Sequence, residues 1–120
     1  MAQLAATAAK QPALGTAGTP SADVLTVQAA SVATATRTSV AGAAADTALL
    51  AANPARIGAT IYNESTAILY LGYGATAVSL TNYSVQVPAS GYLEIPPQFV
   101  ACAIRGYWAA ANGSARITVG

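Results

Sequence analysis

The chain of 120 residues has no histidine, one cysteine (Cys102) and four carboxylates, Asp23, Asp46, Glu64 and Glu94. A serine or cysteine nucleophile needs a base within hydrogen-bond reach, and Lys10, near the N-terminus, is the sole lysine that could stand in for the absent imidazole. One thiol and four dispersed carboxylates build neither a zinc tetrahedron nor a non-haem iron triad within one chain. Calcium held by Asp23, Asp46 and backbone carbonyls is the one metal reading the residues leave open. Glu64 and Glu94 have the residue types of a glycosidase pair. Glu64 is expected in a turn and Glu94 on an outward strand face, so both read as solvated charges. The expectation is a protein that is not an enzyme, with no catalytic, cofactor-binding or metal-binding residues. Cys102 reads as a small buried hydrophobe on the inward face of its strand.

Charge is equally scarce. Charged residues make up 8% of the chain and the net charge is +1. Lys10, Arg37, Arg56, Arg105 and Arg116 are widely spaced, so no basic cluster is available to neutralise adjacent phosphates and nucleic acid is not an expected partner. No run of about 18 apolar residues exists to cross a bilayer, which removes the membrane as well. Lys10 follows the small-residue stretch at the N-terminus, the reverse of a signal peptide, and synthesis in the cytoplasm is expected. Without a secretory signal, Asn63-Glu-Ser65, Asn82-Tyr-Ser84 and Asn112-Gly-Ser114 read as turn chemistry instead of glycosylation sites. Gly72-Tyr-Gly74 lacks the Lys-Ser/Thr and helix of a phosphate cradle and reads as a bend at a strand end. With so few charges the surface is Thr, Ser, Asn, Gln, Tyr and backbone, a composition that points to contact with other proteins.

All the aromatic residues lie between Tyr62 and Trp108, whereas residues 1–53 are mostly Ala, Thr, Ser and Gly. Residues 1–22, with Pro12 and Pro20 and no amphipathic stripe, read as an extended arm. A domain follows over 23–120. Asp23–Gln28 is the first candidate strand, and Val32, Thr34, Thr36, Thr38 and Val40 share one parity. Leu49-Leu50 precedes a break at Asn53-Pro54. From there Ile57, Ala59 and Ile61 alternate with Arg56, Thr60 and Tyr62. Asn63–Thr66 reads as a hairpin turn leading into Ala67–Leu71, a strand apolar on both faces and so central. Tyr83, Val85 and Val87 form the next strand, Pro88–Gly91 turns into Tyr92–Ile95, and Pro96-Pro97 ends it. Phe99–Trp108 places Val100, Cys102, Ile104 and Trp108 inward. Asn112-Gly113 reads as a two-residue hairpin into Arg116–Val119.

Turn signals every 8–12 residues without a helical period predict an all-β fold, an antiparallel β-sandwich or small barrel of six to eight strands. The expected core is Ile57, Ile61, Leu69, Leu71, Val85, Val87, Leu93, Ile95, Cys102, Ile104, Trp108, Ile117 and Val119. The foldable part, roughly 70–90 residues without a disulfide, buries only about 60–65% of its unfolded surface, so association with a partner is expected to stabilise it.

The patterns Asn53-Pro-Ala-Arg-Ile-Gly-Ala-Thr-Ile-Tyr-Asn63, Leu69-Tyr-Leu71, Tyr83-Ser-Val-Gln-Val87, Gly91-Tyr-Leu-Glu-Ile-Pro96, Ala103-Ile-Arg-Gly-Tyr-Trp108 and Ala111-Asn-Gly-Ser-Ala-Arg-Ile-Thr118 together resemble a small β module. That module occurs in virion structural proteins of tailed bacteriophages, among them head decoration (cement) proteins and head-fibre or tail-associated proteins. The resemblance covers residues 53–119. It implies a non-enzymatic structural role, assembly as a homo-oligomer on the particle, and scaffold positions at Arg56, Arg105 and Trp108.

Exposed tyrosine combined with arginine is the composition of an interface hot spot, and Arg56, Tyr62, Tyr73, Tyr92, Arg105 and Tyr107 are the interface candidates; Tyr70 and Tyr83 do not fall on predicted outward or loop positions. The expected function is capsid decoration at the virion surface, with the major capsid protein and further copies of the chain, as a trimer, for partners. Head-fibre, neck or tail placement is the alternative on the particle, and a carbohydrate-binding β-sandwich the alternative off it.

Overall fold

The computed structural model describes residues 31–120. The predicted arm over 1–22 and the strand at Asp23–Gln28 lie outside the described residues. Ser31–Gly120 forms one compact unit built from eight strands: β1 (Thr36–Ala41), β2 (Thr47–Leu50), β3 (Ala59–Glu64), β4 (Leu69–Tyr73), β5 (Val85–Val87), β6 (Tyr92–Glu94), β7 (Ile104–Trp108) and β8 (Ser114–Val119), with a 3-10 turn at Pro97–Phe99. They make two four-stranded antiparallel sheets, ordered β1-β8-β3-β6 and β2-β7-β4-β5. The predicted all-β sandwich is present.

The pairings reveal how the chain winds. β4 pairs with β5, β3 with β6, β2 with β7 and β1 with β8, as though one long hairpin, bent at residues 74–84, had been rolled up. The β3–β8 and β4–β7 pairs then close each sheet. This is the double-sheet jelly-roll arrangement. Only β4 and β5 are joined within a sheet, and every other connection crosses from one sheet to the other. The hairpins expected at Asn63–Thr66 and Asn112-Gly113 are therefore corrected to crossings. A type I′ hairpin needs positive φ at both central residues, and only Gly113 has it, at 60°.

The core lies between the sheets where alternate residues meet: Leu49, Ile61, Leu69, Leu71, Val87, Ile95, Ile104, Trp108 and Ile117 are buried, with Val85, Leu93 and Val119 partly so. Each large side chain buried this way contributes about 1.5–3 kcal/mol. Two expected core members sit elsewhere. Ile57 is 45% exposed because β3 begins two residues later, at Ala59. Cys102 is only half-buried, in the turn before β7, since the strand predicted from Phe99 starts at Ile104. Small residues complete the interior: Ala59, Ala67 and Ala115 are buried, and a Cβ on Gly106 would stand 2.8 Å from Leu69 Cδ1 and 2.9 Å from Leu49 Cδ1.

One polar hub secures each end of the roll. At the end holding the β1–β2, β3–β4, β5–β6 and β7–β8 crossings, Asn63 is fully buried. Its Nδ2 donates to the carbonyls of Ala67 (2.8 Å), Val87 (3.0 Å) and Pro88 (3.1 Å). Its Oδ1 accepts from Trp108 Nε1 (3.2 Å) and Ser65 Oγ (2.7 Å). At the opposite end Arg56 is buried, 7% exposed, and its guanidinium donates to the carbonyls of Val100 (2.8 Å), Cys102 (3.1 Å) and Ala51. Arg56 thereby ties the β2–β3 connection to the β6–β7 connection. The outward, partner-facing position expected of Arg56 is corrected: it lies before β3, where the strand alternation does not apply.

Candidate interaction faces

Strand parity and register convert the sequence into two outward grids. On the β1-β8-β3-β6 sheet one row across all four strands reads Ser39, Arg116, Tyr62, Tyr92, and the next reads Arg37, Thr118, Thr60, Glu94. Beyond the first row, Ala41, Ser114 and Glu64 continue the face over three strands. Tyr92 is 60% and Tyr62 38% exposed. Arg116 forms an ion pair with Glu64, both side chains more than half exposed, and Tyr92 Oη donates to Glu94 Oε2 at 3.3 Å. Glu64, expected in a turn, is the last residue of β3. A shallow depression runs between Arg37–Ser39 of β1 and Arg116–Thr118 of β8.

The outer face of the β2-β7-β4-β5 sheet carries Tyr107 beside Tyr70, and Tyr70 beside Gln86. Tyr83 meets Tyr70 edge-on at 4.9 Å between ring centroids, and its hydroxyl accepts from Gln86 Nε2 at 2.8 Å. Arg105 reaches Asp46 through Nε (2.9 Å to Oδ1) and Nη2 (2.6 Å to Oδ2), a two-point contact. Asp46 also accepts from the Val78 amide at 3.0 Å. Val78 is buried over Gly72, whose missing Cβ makes room for it. The hydrogen bonds from Arg105, then that from Val78, hold the Asp46 carboxyl below its ordinary value of 3.8.

The interface candidates thus divide. Tyr62 and Tyr92 are direct cross-strand neighbours on the first face. Arg105 and Tyr107 share the second, but Arg105 is engaged by Asp46. Tyr73, expected outward or in a loop, sits at the rim with its ring stacked on Phe99 at 4.9 Å, and burial pushes its hydroxyl pKa up. Tyr70, on the inner strand β4, and Tyr83, just before the edge strand β5, lie outside the predicted outward and loop set and meet on the second face. Their shared signal is the parity of β4 together with the register that brings the 74–84 loop back beside it. Among the described residues no group of three or more Cys, Asp or Glu side chains gathers in one place that could hold a metal ion. Comparison with protein-family models, curated proteins and solved structures finds no match.

Proposed function

We propose that this chain is a structural virion protein that decorates a bacteriophage head, adhering to the major capsid protein through the Tyr70, Tyr83 and Tyr107 face of its jelly roll. The observation that carries the reading is the gathering of Tyr70, Tyr83 and Tyr107 on one outward face. Tyrosine supplies large contact area and a hydrogen-bonding tip at small entropic cost, the property of interface anchors. The fold is one used by viral capsid domains, an analogy that raises the reading without assigning it. The Ala/Thr-rich first 22 residues serve as a second attachment, because backbone pairing at a sheet edge makes no demand on side-chain identity. Joining arm and module on one chain raises effective concentration, so contacts that are individually weak hold together.

The test is cosedimentation of the purified chain with empty phage heads. Saturable binding, reduced when residues 1–20 are removed and when Tyr70 and Tyr107 are changed to Ser, supports the reading. Retention on a polysaccharide column that disappears with Tyr92→Ala, without binding to heads, replaces it with carbohydrate recognition.

A further inference from the structure

The β1-β8-β3-β6 face is divided by charge. Its two arginines, Arg37 and Arg116, stand on β1 and β8, and its two glutamates, Glu64 and Glu94, on β3 and β6, together with Tyr62 and Tyr92. Arg37 and Glu94 occupy the same row at opposite edges, three strand spacings or about 14 Å apart, too far for them to meet within one chain. From this division we infer that the face is self-complementary and is the docking surface for a second copy of this chain, related by a two-fold axis that runs along the strands between β8 and β3.

Rotation about such an axis exchanges the β1/β8 half for the β3/β6 half and leaves each residue at its height along the strand. Four contacts follow from the register. Arg37 of one copy stands over Glu94 of the other, Ser39 over Tyr92, Arg116 over Tyr62 and Thr118 over Thr60. Each occurs twice, as a two-fold interface requires. Arg116 over the Tyr62 ring is a cation–π contact. Tyr92, the most exposed large apolar side chain among the described residues, enters the partner's depression between β1 and β8; Ile117 within that lining is itself buried and contributes backbone. Rotation about an in-plane axis across the strands instead sets β1 against β1 and arginine against arginine, so charge selects one orientation. The pairing goes beyond the head-binding reading and does not depend on it, and it leaves Tyr70, Tyr83 and Tyr107 outward on both copies.

The experiment is sedimentation equilibrium of the full chain in low salt. A concentration-dependent dimer is expected, weakening as salt rises. Arg37→Glu and Glu94→Arg each weaken it about tenfold or more, because each reversal creates two like-charge contacts. Mixing the two variants restores a heterodimer, and the double variant R37E/E94R restores a homodimer. These side chains are exposed, so unchanged melting curves verify that the variants fold. A monomer at every concentration, an oligomer indifferent to both reversals, or a failure of the mixture to associate overturns the pairing.

Discussion

Two buried polar side chains, Asn63 and Arg56, hold the two ends of the jelly roll, and each makes a sharp prediction. Asn63 uses both atoms of its amide on four different partners besides Ser65, so Asn63→Leu strands the Trp108 indole N–H and removes the ties to Ala67, Val87 and Pro88. Leaving such groups unsatisfied in the interior costs about 3 kcal/mol or more. Chemical denaturation measures this, and a loss under about 1 kcal/mol contradicts the hub. Arg56 differs in that carbonyls, not a carboxylate, receive its charge. Arg56→Met, which keeps the stem and loses the donors, is expected to cost about 2–4 kcal/mol in the same measurement. Asp46 adds one pH-dependent component to stability. Its pKa is depressed by Arg105 and the Val78 amide, so its stabilising contribution is complete above the ordinary carboxylate value and is lost as pH falls through the lower folded value. An acid titration of unfolding should show that component in the native chain and lack it in Asp46→Asn.

At the scale of elements, period-two alternation located the strands because each has one face on the core: Ala59, Ile61 and Asn63 are buried while Tyr62 and Glu64 are exposed. The destination of each turn was not legible. Asn112-Gly113 has the chemistry of a tight hairpin, yet the next strand belongs to the other sheet, and Gly113 is required for a different reason. A Cβ there would lie 2.0 Å from the Glu64 carbonyl oxygen, and the Gly113 carbonyl accepts from the Gly42 amide at 2.9 Å. Gly113→Ala therefore combines left-handed strain with a backbone clash and should lower stability by about 2 kcal/mol or more. Thermal melting checks this, and a neutral result would show that the crossings are not packed as described. Arg56 lies off the expected outward face because the period-two alternation begins only at Ala59, where β3 starts. The meeting of Tyr70 and Tyr83 depends on the 74–84 loop returning to β4, a contact that no local pattern encodes.

At the scale of the whole fold, tyrosine and charge among the described residues are distributed over the outward faces of two sheets. Among the described residues Asp46 pairs with Arg105 and Glu64 with Arg116, and Tyr92 is the most exposed large apolar side chain. Cryo-electron microscopy of heads saturated with the purified chain decides whether it adheres to a phage head as proposed. Ordered eight-stranded density is expected on the outer shell, with the Tyr70 and Tyr107 face or the first residues of the chain against the capsid protein. Heads that remain bare at saturating concentration would contradict it.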